Sequence, residues 1–121
     1  MNPRYGFLVL LYCAGIFWLS SQPLTVPPKA LFPGADKVVH MTLYAGLAVL
    51  VFLTLRRSGR NHPPAVQYGI PILFCLLYGI SDEIHQLFVP NRSFDIMDIL
   101  ADTLGAALVQ CALFMVRRLP I

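Results

Sequence analysis

Four apolar runs, each about the length of one membrane crossing, take up most of this 121-residue chain. They cover Tyr5 to about Ser20, Asp36 to Leu55, about Val66 to Val89, and about Phe94 to Val116. A helix needs about 20 apolar residues to cross a bilayer, so four crossings consume about two thirds of the sequence. The runs are apolar all round rather than on one stripe, which is the pattern of helices in lipid. The expected architecture is therefore all-α: an integral membrane bundle of four transmembrane helices (about 5–20, 36–55, 66–89 and 94–116) forming one domain over residues 1–121. Composition agrees. Charged residues make up 12% and hydrophobic residues 57%, with a mean hydropathy of +0.68. Soluble domains carry about 25% charged residues. An ordinary soluble enzyme, a disordered chain and a nucleic-acid binder built on a basic face are excluded.

Breaks between the runs are equally legible. Pro23, Pro27, Pro28, Pro33 and Gly34 mark residues 21–35 as a loop, because proline fixes φ and removes a donor. Asp36 then stands where an N-cap is favoured. Arg56 to Ala65 read as a basic turn, Pro71 as a mild kink, and Pro90-Asn91-Arg92-Ser93 as a tight turn. No small-x-small cleavage site follows the first run, so it is expected to be a retained span rather than a signal peptide. Cys13, Cys75 and Cys111 each lie inside an apolar run and read as small packing residues, not as a disulfide framework or zinc site.

Basic residues set the orientation. Four spans put Arg4, Arg56, Arg57, Arg60, Arg117 and Arg118 on one side, and Lys29, Lys37 and Arg92 on the other. The positive-inside rule then places both termini in the cytoplasm. All six acids (Asp36, Asp82, Glu83, Asp95, Asp98 and Asp102) fall on the opposite, outer side, together with His40 and His85 but not His62.

Helical spacing decides which of these groups can meet. Asp95, Asp98 and Asp102 share one face of the fourth helix. Asp82, His85 and Gln86 share a face of the third, with Tyr78 a turn below, and Asp36, His40 and Tyr44 form a stripe on the second. Asp102 lies about 10 Å down its helix. At that depth an acid is costly, so it is expected to face the bundle and find a partner among His40, His85, Arg92 and Lys37. Gly105, Ala101, Ala106 and Ala107 offer a small surface for close helix packing nearby.

Three readings of this constellation compete. One is a structural network of hydrogen bonds and ion pairs tying three helix ends together. A second is catalysis, with Asp36, His40, Asp82, Glu83, His85, Asp98 and Asp102 as acid–base candidates. Lys37, Gln86, Arg92 and Asp95 would then bind an anionic head group. A divalent metal held by Asp82, Glu83, His85, Asp98 and Asp102 is a narrower and less favoured version of this reading. It rests on composition and spacing alone, since no HExxH or comparable motif is present. The third is transport or lipid flipping along the polar face, which four short helices can support only as an oligomer or through a lipid-exposed groove.

From Ser20 onward the chain resembles the VanZ-like family. The resemblance rests on Ser20-Ser21-Gln22-Pro23, on Asp36-Lys37-Val38-Val39-His40, and on Gly79-Ile80-Ser81-Asp82-Glu83-Ile84-His85-Gln86-Leu87-Phe88. It continues through Pro90-Asn91-Arg92-Ser93-Phe94-Asp95-Ile96-Met97-Asp98 and Ile99-Leu100-Ala101-Asp102-Thr103-Leu104-Gly105. The polar positions that match are Asp36, Lys37, His40, Glu83, Gln86, Arg92, Asp95, Asp98 and Asp102. The last is often Asn in the family, so here a potential charge replaces an amide. The resemblance implies a small membrane protein of the bacterial cell envelope, whose namesake is associated with low-level resistance to the glycopeptide teicoplanin. The implied partners are membrane lipids and a lipid-linked envelope precursor, with no nucleic acid. The implied place is the bacterial cytoplasmic (inner) membrane.

Overall fold

A computed structural model describes residues 2–22 and 34–117. These form four helices, α1 (Pro3–Ser20), α2 (Ala35–Arg56), α3 (Pro64–Gln86) and α4 (Ile96–Arg117), with no strand among the described residues. All four are long and apolar enough to cross a membrane. Lys29 and Arg118, used above for orientation, lie outside the described residues.

Polarity is distributed oppositely to that of a water-soluble protein. Phe88, Leu10 and Met115 are among the most exposed side chains, at 82%, 69% and 69%, while Glu83 and Asp102 are fully buried. Gln67, Gln86 and Gln110 are buried as well. In water this arrangement would expose a large apolar surface and strand polar groups inside. In lipid it is the stable one, because apolar side chains meet acyl chains and polar groups find partners only within the bundle.

Helix α2 is the centre of the bundle and packs against the other three. Tyr44, Leu47, Ala48 and Val51 of α2 form the core with Cys75 of α3, Ala106 of α4, and Val9 and Ile16 of α1. Carbonyls on successive turns of α2 also accept side-chain donors from all three neighbours. Tyr12 Oη donates to Leu43 O at 2.6 Å, Cys75 Sγ to Tyr44 O at 3.5 Å, Gln110 Nε2 to Ala48 O at 3.2 Å and Gln67 Nε2 to Phe52 O at 3.3 Å. Such interhelical bonds are individually modest, averaging about 0.6 kcal/mol. Together they fix the rotation of each helix about its axis.

Local chemistry sets the helix ends. The Asn2 side chain caps α1 by accepting from Arg4 N at 3.0 Å, and Pro3 occupies the first turn, where its missing N–H costs nothing. Asn2 also ties that end to α2, donating to Arg57 O at 2.9 Å. Pro71 is buried within α3, and the helix runs through it.

Two sequence expectations shift here. Asp36 is not the N-cap of α2. Gly34 holds that place with φ of 83°, which glycine adopts without strain, and Asp36 lies inside the first turn. The link between α3 and α4 is also longer than the four residues 90–93. Helix α3 ends at Gln86, and Leu87, Phe88 and Val89 close in i→i+3 turns before Pro90. A residue before proline is pushed out of the α region, so the helix cannot run on to 89. Asn91 takes φ of 62°, and α4 begins only at Ile96, capped by Asp95 Oδ1 accepting from Met97 N at 2.9 Å.

Candidate functional site

The C-terminal ends of α1 and α3 and the N-terminal ends of α2 and α4 meet at one end of the bundle, and the polar residues meet there with them. Lys37 is the hub. Its Nζ donates to Asp36 Oδ2 at 3.0 Å and to Asp95 Oδ2 at 2.8 Å, and makes a short contact with Asp98 Oδ1. The ammonium beside Asp95 holds that carboxyl below the usual carboxylate range, helped by the Met97 amide. This pairing supports the fold at neutral pH and is lost as acid protonates Asp95 below its ordinary value.

Deeper in the bundle, His40 stands between two acids of α4. Its Nδ1 lies 2.8 Å from Asp102 Oδ1, and its Nε2 lies 3.5 Å from Asp98 Oδ2. Asp102 is fully buried, and the room for its carboxylate comes from a missing side chain on α3. A Cβ at Gly79 would stand 2.8 Å from Asp102 Oδ2. Glu83 enters from α3, where its Oε2 accepts from the Asp95 backbone N–H at 3.0 Å. His40, Glu83 and Asp98 each offer one ligand-type atom, and these lie within 4.8 Å of one another. Among the described residues, three buried carboxylate oxygens near this end, Asp36 Oδ1, Glu83 Oε1 and Asp102 Oδ2, have no hydrogen-bond partner.

Two neighbouring recesses open beside this cluster. One, of about 280 Å³, is lined by Asp36, His40, Gln86, Asn91, Arg92, Ser93, Asp95 and Asp98, with Val39 at its edge. The other, of about 220 Å³, reaches toward α1 through Ile16, Leu19 and Ser20 and includes Asp82. Val39, His40, Gln86 and Arg92 line both. Val39 is 54% exposed, so the recess opens beside a residue of the outer apolar surface. The geometry suits a polar group that is attached to an apolar one.

Ten of the eleven sequence candidates lie at these clustered groups or line one of the recesses. The exception is His85. Its ring stacks on Phe17 at 4.3 Å, and its Nε2 lies 2.8 Å from Ser21 Oγ, so it faces α1 rather than Glu83. Among the described residues, the ligand-type atoms that come within 4.8 Å of one another are those of His40, Glu83 and Asp98, so Glu83 and Asp98 of the expected metal set converge with His40, while Asp82, His85 and Asp102 are not in that group. Of the four partners open to Asp102, the structure gives His40 and not Arg92, which among the described residues donates from Nε to Gln22 O at 3.0 Å and from Nη2 to Leu19 O at 3.1 Å, meeting carbonyls at the C-terminal end of α1. Sequence reasoning missed the hub role of Lys37, although its place in the first turn of α2, across from Asp95 and Asp98, was the available signal.

The VanZ/LLP1 family profile matches residues 5–117. The chain belongs to the VanZ/LLP1 family. The VanZ/LLP1 match runs from the first turn of α1 to the end of α4 and includes every residue of the site just described. A relative in the fission yeast Schizosaccharomyces pombe, an uncharacterized protein, is 32% identical over 103 residues. The match covers 84% of this chain and 56% of the yeast protein, so the chain spans little more than half of that relative's length. No solved structure matches the chain.

Proposed function

We propose that this VanZ/LLP1 protein is an envelope membrane protein that binds the anionic head group of a membrane lipid, or of a lipid-linked cell-wall precursor, at its acid-rich end. The observation that carries this reading is the recess beside Val39. Its rim is supplied with donors by Asn91, Arg92, Ser93 and Gln86, and it lies next to lipid-facing surface, so a head group could enter while its chains stay in the bilayer. A relative in a eukaryote favours head-group chemistry common to membranes over a feature of one wall polymer. In a bacterial host, a wall-precursor ligand would connect the site to glycopeptide susceptibility, with teicoplanin as the drug to assay.

Placement follows from charge. We assign the protein to the cytoplasmic membrane of a bacterium, with both termini inside and the site facing outward. Single-cysteine labelling in a background without Cys13, Cys75 and Cys111 is expected to find Gly59 protected in intact cells and Asn91 reactive. Labelling of position 59 from outside would invert this topology.

Ligand binding is tested through Arg92. Purified protein in mixed nanodiscs should retain anionic phosphatidylglycerol over zwitterionic phosphatidylcholine. Arg92→Ala should weaken that preference about tenfold, the value of one charge-assisted hydrogen bond. Arg92→Lys should restore it only in part, because a point charge cannot reproduce the planar guanidinium fork. The two bonds from Arg92 to α1 are at the exposed end, so the melting temperature should fall only slightly. Equal retention of both lipids by the wild type would reject the reading.

A further inference from the structure

An anionic head group is not obviously welcome here. Among the described residues, six acids share this end of the bundle with Lys37, Arg92 and His40, so acidic groups outnumber basic ones there. Among the described residues, the buried Glu83 Oε1 and Asp102 Oδ2 have no hydrogen-bond partner. We propose that His40, Glu83 and Asp98 form a binding site for one divalent transition cation, Zn²⁺ or Mn²⁺, which supplies the missing positive charge at the recess. The role of that cation toward a lipid head group rests on the function proposed above, whereas the cation site itself does not.

Each of the three side chains is held on one side by another group and open on the other. His40 is anchored through Nδ1 by Asp102 Oδ1 at 2.8 Å, which leaves Nε2 facing Asp98. Asp98 is anchored through Oδ1 by Lys37, which leaves Oδ2 facing His40. Glu83 is anchored through Oε2 by the Asp95 N–H, which leaves Oε1 without a partner although the residue is fully buried. This is the usual construction of a metal site, in which a carboxylate orients the ligating imidazole and the ligating carboxylates are themselves hydrogen-bonded.

The separation of His40 from Asp98 agrees, and the Glu83 ligand atom lies within 4.8 Å of both. Two ligands about 2.1 Å from a tetrahedral ion stand about 3.4 Å apart. His40 Nε2 and Asp98 Oδ2 are 3.5 Å apart, too far for a strong charged hydrogen bond, which runs about 2.7–2.9 Å. One imidazole and two carboxylates suit zinc or manganese better than calcium, which takes only oxygen ligands. Three protein ligands leave a position open for water or a phosphate oxygen. His40 and Asp98 both line the recess, so that position is reachable from it.

Asp102 is a positioning residue in this scheme, because it touches the metal only through His40. Its replacement by Asn keeps an oxygen that can accept from Nδ1 but removes the charge that raises imidazole basicity.

The test uses the full-length protein, purified in detergent, stripped with a chelator and returned to metal-free buffer without phosphate. Titration with Zn²⁺ and with Mn²⁺ should reveal one saturable equivalent per chain and a rise in melting temperature. Co²⁺ should give the visible absorption of a low-symmetry site. Asp102→Asn should weaken metal affinity about 10–100-fold. Glu83→Gln and Asp98→Asn should weaken it further while preserving helix content and a single elution peak. Binding that persists undiminished in both ligand variants would overturn the proposal, as would no saturable binding by the wild type. Lipid retention is read on the same samples. Metal bound without any preference for anionic lipid leaves the cation site standing and removes the lipid reading. Anionic-lipid preference without metal binding does the reverse.

Discussion

Replacement of Gly105 by alanine is expected to be among the most damaging single changes in this protein. A Cβ at that position would collide with Met41 O and would stand 2.8 Å from Met41 Cα and 2.9 Å from its carbonyl carbon. These are backbone atoms of α2, so no side-chain rotation can relieve the collision and the two helices must part. Overpacking of a core costs about 1–3 kcal/mol when side chains can adjust. Here they cannot, and a cost at the top of that range is expected, with a fall of roughly 10 °C in melting temperature. Separation of α2 from α4 would also disturb Lys37 against Asp98 and His40 against Asp102, since both pairs span this contact. Gly15→Ala is the matched control. A Cβ there meets nothing within 4 Å, so the change should be neutral or slightly stabilising through helix propensity. Thermal unfolding in detergent compares the two, and equal melting temperatures would show that the close approach is not needed.

The second large effect is expected at His40. His40→Ala removes the hydrogen-bond partner of Asp102 Oδ1, and Oδ2 of the same fully buried carboxylate already lacks one. Breaking a buried ion pair by deleting one member costs about 3–5 kcal/mol, because the remaining charge is left uncompensated. Asp102→Asn should behave quite differently. Its side-chain oxygen can still accept from Nδ1 and no charge remains, so the change should lie within about 1 kcal/mol of the wild type. His40→Ala combined with Asp102→Ala should recover part of the loss, giving a coupling above about 1 kcal/mol in a double-mutant cycle. If the losses simply add, the two residues do not act as a pair.

Much of the fold could be read directly from the sequence, since four apolar runs of membrane-spanning length allow few alternatives. The interruptions were harder. Pro90 located the turn before α4, but the unwinding of Leu87, Phe88 and Val89 and the cap by Asp95 depend on φ/ψ choices that hydropathy does not record. The site was partly legible for the same reason. Helical spacing put Asp98 and Asp102 on one face of α4 and placed His40 near the start of α2, but spacing along a helix leaves its rotation about the bundle axis undetermined. His85 illustrates the loss. It shares a stripe with Asp82 and Gln86, both buried, yet a modest rotation of α3 turns it onto Phe17 and Ser21 of α1. The rotation is fixed by contacts between distant residues, such as Tyr78 Oη donating to Cys13 O at 2.6 Å and Gln67 Nε2 donating to Phe52 O. Arg92 reads as a ligand-binding residue and as one of four partners open to Asp102, and helical spacing gives no sign that the carbonyls at the end of α1 lie within its reach.

The notch that Gly79 leaves for Asp102 ties two positions on different helices into one heritable unit. A side chain at position 79 would force the Asp102 carboxylate to shift or to be replaced by a smaller group, and a larger residue at position 102 is best accommodated while position 79 stays bare. Change at one position therefore bears on the other, so the deepest acid of the bundle is kept in place by the volume of a neighbour as well as by its own chemistry.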